Sequence, residues 1–342
     1  MPRPDLRIGD LGQLASARQI RLGDGVEDGV RCIDVRVAGG IHALVLADRG
    51  LDIGPAWVAG EPLTWQSPTG IVHPSYYRDD VFLRSLHGGL MFTAGLQNVG
   101  SPNVDEGVAY GHHGRISNLP ATNITAEVEE DEAGLAVVVR GSVREEPPFG
   151  VDLLLRRTLR FRVGTPELDL RDEVRNLGHT AAPLFILYHC NIGYPVVEAA
   201  SRMIAPPADV IGWDEVSRDA EAEHAAFVPP DPDFPVQVFE HRIRPTAPDR
   251  VAVSIVNPDY PPAGSIGIEV SWSRRQLPRL WQWRNLAAGL YVTGIEPANC
   301  LLQGRAAARA AGEIPMIDPG ETKEFGVRFR AGVGPAALAL LP

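Results

Sequence analysis

The chain has 342 residues, of which 44% are hydrophobic and 22% charged, and a formal net charge of -11 at pH 7. That much apolar material, with 35 Gly and 30 Pro in no fixed period, excludes a disordered or collagen-like chain. The acidic balance excludes a nucleic-acid binder, which needs a clustered basic face, and apolar runs such as 181–188 are far too short for a membrane span.

The chain opens Met1-Pro2-Arg3-Pro4-Asp5, without the apolar core of a signal peptide, so a cytoplasmic location is expected. A short helix is predicted over residues 9–19, with Asp10 as N-cap. Short apolar or alternating runs follow at 30–37, 41–46, 136–143, 151–161, 168–174 and 184–188. More lie at 251–256, 267–270, 280–283, 291–295 and 325–329, all separated by Gly, Pro, Asn and Asp clusters. This is the spacing of an all-β sandwich or barrel. Arg140, Arg156, Arg160 and Arg162 alternate with apolar neighbours, as on antiparallel strands with one solvated face. Residues 206–213 are too Pro-rich for a helix, and 220–235, with Pro229, Pro230, Pro232 and Pro235, read as a surface loop. No repeat and no alternating strand–helix rhythm is present. The expectation is one domain spanning 1–342, built from two packed antiparallel sheets with few short helices.

Cys32, Cys190 and Cys300 are too few and too dispersed for a disulfide framework, and no CxxC pair suggests a zinc knuckle. The only lysine, Lys323, lies in a polar turn entering a strand, which argues against Schiff-base chemistry. Catalysis is therefore expected from His, Glu and Arg.

Four segments concentrate such residues. The first contains His87-Gly88-Gly89 and Gln97-Asn98, where glycines let backbone approach a ligand, although a satisfied turn histidine reads equally well. The second is His112-His113-Gly114-Arg115. Adjacent strand residues point to opposite faces, so one of the two histidines is expected in any given pocket, and Arg115 offers a planar fork for sugar hydroxyls or an anion. A surface turn is the alternative. The third is an apolar run ending Tyr188-His189-Cys190-Asn191, which places His189 and Asn191 on one face and Tyr188 and Cys190 on the other. A histidine there suits acid–base work, or a purely structural hydrogen bond. In the fourth, Glu296 ends an apolar strand, where burial would raise its pKa and make it a usable base. Trp281 and Trp283 upstream offer aromatic surface for a pyranose ring or for the core.

These segments, in this order, resemble the galactose mutarotase-like superfamily, and in particular a poorly characterised aldose 1-epimerase-like branch. His113-Gly114-Arg115 resembles the His-Gly region of the family, with Arg directly after Gly. The passage Asp172-Glu173-Val174-Arg175-Asn176, then Pro183 and Tyr188-His189-Cys190-Asn191, resembles the family's segment carrying the catalytic acid. Gly294-Ile295-Glu296-Pro297 resembles the segment carrying the base, and Asp318-Pro319-Gly320-Glu321 the turn before the last strands. The sequence departs from the pattern at Tyr188 and at Asn191-Ile192.

The resemblance implies a large antiparallel β-sandwich and an aldose 1-epimerase that opens a sugar ring by acid–base catalysis, with Glu296 as base, His189 as acid and no cofactor. Arg115, His113, His87, Asn191, Gln97 and Trp283 are then expected to hold the sugar, with Arg84 and Arg115 suited to an acidic or phosphorylated one. Two other readings stand beside it: a metal-dependent isomerase using His87, His113, His189 and Glu296, and a non-catalytic carbohydrate-binding protein. The expected partner is a small sugar, with no nucleic acid or membrane, and homodimerisation is left open.

Overall fold

The computed structural model describes residues 7–148 and 150–341. The first five residues, read above for a targeting signal, lie outside the described residues. Among those described, the α-helices are the short Glu215–Asp219, Arg305–Ala310 and Pro335–Leu338, and no helix is long and apolar enough to cross a membrane.

Three antiparallel sheets carry the fold. The largest has eight strands, in the order Arg202–Ile204, Arg250–Tyr260, Gly264–Ser273, Thr322–Val333, Glu167–Asn176, Leu153–Arg162, Gly134–Glu145 and Thr122–Asp131. A six-stranded sheet runs Ala208–Gly212, Gln237–Ile243, Arg279–Asn285, Val292–Ala298, Phe185–Gly193 and Phe92–Leu96. A five-stranded sheet is formed in chain order between Ala15 and Pro62.

Alternation along the strands decides which side chains meet. Leu159, Phe161, Val270 and Phe329 of the eight-stranded sheet share one core with Ile186, Tyr188, Cys190, Ile192 and Ile295 of the six-stranded sheet. The opposite face of the six-stranded sheet contributes Phe92, Phe185, Leu187, Trp281 and Val292 to a second cluster. Covered on both faces, the strand Phe185–Gly193 is buried at every position, which explains its continuous apolar run. On the eight-stranded sheet Arg140, Arg160 and Arg162 pair with Glu129 or Asp131 on the outer face.

One arginine of that sheet faces inward. Fully buried Arg157 donates from Nε and Nη2 to both Asp172 oxygens at 2.9 and 2.6 Å, and from Nη1 to Asp52 Oδ1 at 2.8 Å. Tyr188 Oη donates to Asp172 Oδ2 at 2.7 Å, and Thr93 Oγ1 to Asp52 Oδ1 at 2.5 Å. This network ties all three sheets together through the apolar core. Burial alone would raise the Asp52 carboxyl, but His87, Arg157 and Thr93 around it bring it down to about 2.

Local expectations change in two places. Only Leu11–Gln13 is helical, as a 3-10 turn with Asp10 capping Gly12 N, and Ala15–Arg21 is a strand because it pairs along its whole length with Arg31–Val37. Ladder bonds to a neighbour outweigh a weak helix propensity. Residues 208–212 form a strand at the sheet edge, where the preceding prolines cost no ladder bond. Residues 220–235 lack strands and α-helix as expected, yet Arg284 Nη1 binds the carbonyls of Glu223 and Ala226 and holds the loop down. All three cysteines are buried and free, and Lys323 Nζ donates to the Met316 carbonyl away from any catalytic group.

Candidate active site

Phe185–Gly193 and Val292–Ala298 are neighbours, with Cys190 opposite Ile295 and Asn191 opposite Gly294. That register puts His189 across from Glu296 on the face turned away from the main core. Their side chains meet, His189 Nε2 lying 3.1 Å from Glu296 Oε1. Gly294 makes room for the contact. A Cβ there would stand 2.8 Å from Glu296 Oε1 and 2.9 Å from His189 Cε1, so any side chain would intrude on the pair. On the next strand Trp283 pairs with Gly294, and its ring sits 5.6 Å from that of His189.

The pair forms part of the wall of a cavity of about 540 Å3. Trp65, Phe82, Trp213 and Trp283 supply most of its aromatic surface, and His112 and His113 enter from a turn. His113 has φ +58°, so the two histidines do not alternate as strand residues do. Both face the cavity with rings 4.4 Å apart, and His112 stacks on Phe82 at 4.9 Å. The Gly100 amide donates to His113 Nδ1 at 3.2 Å. An accepting Nδ1 leaves the ring hydrogen on Nε2, a donor whose direction is fixed before ligand arrives.

Burial sets the protonation states. It raises the Glu296 carboxyl to about 8 and lowers the His189 imidazole to about 4. Near neutrality the pair is therefore uncharged, a carboxylic acid beside a neutral imidazole. His113, crowded by His112 and His189, is held well below the usual histidine range, first by burial and then by those neighbours.

Of the expected sugar-holding residues, His113 and Trp283 line the cavity and the others do not. Asn191 instead donates to the carbonyls of Gly89 and His189. Gln97 is held by Glu145, at 3.0 Å. The half-exposed Arg115 guanidinium lies 3.8 Å from Asp79, and neither it nor Arg84 contributes to the lining. His87 is wholly buried, its Nε2 3.7 Å from Asp52 Oδ2, beside the core network rather than in the cavity. The four-residue metal set therefore does not converge, and among the described residues no group of three or more His, Cys, Asp or Glu is placed to share an ion. Trp65, Phe82, Trp213 and Asn285 also line the cavity and were not anticipated, and His112 lines it together with His113 where one of the two was expected. Most come from loops, and only the aromatic residues themselves signalled them.

The architecture, large antiparallel sheets packed as a sandwich with few short helices, is the galactose mutarotase-like fold. A protein from Klebsiella pneumoniae subsp. pneumoniae, provisionally described as an aldose 1-epimerase, superposes with a TM-score of 0.88 at 23% identity, over 95% of this chain and 85% of that one. A galactose mutarotase-like protein from Clostridium acetobutylicum gives 0.61 at 14% identity, over 94% and 99%. A galactose 1-epimerase from Lactobacillus acidophilus NCFM gives 0.59 at 12%, over 94% and 99%. At these identities the likeness is one of fold. No curated protein matches the sequence. The chain belongs to the family described as Domain of unknown function (DUF4432), which matches residues 27–331.

Proposed function

We propose that the protein is an aldose 1-epimerase-like isomerase that interconverts the anomers of a reducing sugar by acid–base ring opening. The observation that carries this reading is the His189–Glu296 contact in a cavity with aromatic walls. Ring opening needs two proton transfers at oxygens bonded to the same carbon, so the acid and the base must stand side by side. These two do.

With sugar bound, the one proton of the pair passes from Glu296 to His189. The Glu296 carboxylate then takes the proton of the anomeric hydroxyl while the His189 imidazolium gives its Nε2–H to the ring oxygen and becomes neutral imidazole. The C1–ring oxygen bond breaks, its electron pair passing to that oxygen, and C1 becomes an aldehyde carbon. After rotation about C1–C2 the ring hydroxyl attacks the other face of the aldehyde, returns its proton to His189, and the new anomeric oxygen recovers the proton from Glu296. Both side chains end as they began, and no redox change occurs. A bound sugar would separate the pair, each side chain exchanging its partner for a substrate oxygen. Trp283 and Trp65, with rings 5.8 Å apart, offer apolar faces to a sugar ring, and the His113 Nε2–H would fix one hydroxyl.

The test is anomer exchange followed by NMR on a panel of reducing sugars, with acceleration over buffer expected for at least one. Saturable binding of these sugars without acceleration would replace the proposal by a carbohydrate-binding role.

A further inference from the structure

Once His189 and Glu296 are engaged at the anomeric centre, other groups must hold the remaining hydroxyls. They are His113 Nε2, the half-buried His112 ring, the Asn285 amide, the Ser101 hydroxyl and the indole N–H groups of Trp65, Trp213 and Trp283, all of them neutral. Thr69 Oγ1 is already committed, donating to the Leu86 carbonyl at 2.6 Å and bonded to Ser67 Oγ at 2.9 Å.

No arginine or lysine lines the cavity, and the arginines nearest in sequence to its walls lie outside it. The depth profile is equally marked. Glu296 and His113 are 2% and 7% exposed, whereas Leu83 and Val236, lining the same cavity, are 72% and 51% exposed. Trp213 and Leu290 complete an apolar collar. A sugar whose C1 sits at the pair would therefore lay its remote end against hydrocarbon. A C–H group there would cover the exposed Leu83 and Val236 side chains, whereas a hydroxyl would face hydrocarbon on that side, and a phosphate or carboxylate would meet no cation.

We propose, on the basis of the acid–base reading above, that the site selects neutral reducing sugars whose end remote from C1 carries C–H rather than O–H groups, as in 6-deoxyaldoses. Phosphorylated and uronic sugars are excluded.

The test compares kcat/KM for anomer exchange on aldohexoses, each with its 6-deoxy, 6-phosphate and uronic acid counterpart. The 6-deoxy member of the favoured series is expected at least ~10-fold above its parent, and the two anionic sugars at least ~100-fold below. Leu83→Arg, on an exposed turn where folding is unaffected, is expected to raise the 6-phosphate-to-6-deoxy ratio at least ~10-fold by adding a cation to the collar. Parent hexose equal to or faster than its 6-deoxy form, or a phosphate turned over as well as either, would overturn the selectivity. If no sugar is exchanged, the acid–base reading fails instead. The order of Kd values from tryptophan fluorescence then decides the selectivity by the same criteria.

Discussion

Glu296 Oε1 and His189 Nε2 lie 3.1 Å apart across two neighbouring antiparallel strands, with Gly294 beneath them lacking the side chain that would part them. Two groups that ionise in opposite senses thus occupy one buried space, and burial drives both toward the neutral form.

The pH dependence follows with a definite sign. Glu296 must be a carboxylate and His189 an imidazolium to work as base and acid, a state with the same single proton as the neutral pair, which is held between about pH 4 and about 8. The log of kcat/KM should be level over that interval and fall with unit slope above pH ~8, where the proton is lost. Stability depends on the same proton. The folded carboxyl holds its proton more tightly than the unfolded one, so folding free energy weakens as pH rises from the ordinary carboxyl range to about 8. Glu296→Gln should therefore gain stability over the parent protein at pH 9 relative to pH 5, by on the order of a few kcal/mol in urea denaturation.

Gly294→Ala tests the geometry without touching an ionisable group. Its methyl would meet Glu296 Oε1 at 2.8 Å and the Trp283 Cβ at 3.2 Å. A correctly folded variant with exchange reduced at least ~10-fold is expected. Wild-type rates would show that the pair need not be in contact.

His113→Asn removes the Nε2–H donor but suits the backbone, since Asn tolerates the positive φ and can still accept from the Gly100 amide. KM should rise about 10-fold with a smaller change in kcat, as for a group that holds substrate equally in ground and transition states. Steady-state kinetics on the best sugar separates the two.

Asp52→Asn probes the core network. Removing one carboxylate from Arg157 should cost ~3–5 kcal/mol at pH 7, measured by urea denaturation. Asp52 titrates near 2 when folded, below its ordinary range, so its contribution is present above pH ~4 and fades as pH falls toward 2. The gap between variant and parent should narrow by about 2 kcal/mol over that interval.

Much of this was legible in the sequence wherever side-chain alternation held. The strand Phe185–Gly193 does split as its pattern implies, Tyr188 and Cys190 joining the main core and His189 facing the cavity. Glu296 is buried as its neighbours suggested, although the strand runs on past it to Ala298. Alternation failed at His112 and His113, where a left-handed backbone turns both rings the same way. It also says nothing of reach: Asn191 shares the His189 face but spends its amide on sheet carbonyls. Trp65, Phe82 and Trp213 reach the cavity through tertiary packing of loops, and Arg157 meets Asp52 across 105 positions of chain, neither of which leaves a periodic trace.

The most direct test of the acid–base pair is anomer exchange by Glu296→Gln and His189→Asn, measured by NMR at saturating sugar on protein whose fold and sugar affinity are verified. Each variant should lose at least ~100-fold in turnover while still binding sugar. Near-normal exchange in either variant would contradict the assignment of that residue and, with it, the proposed mechanism.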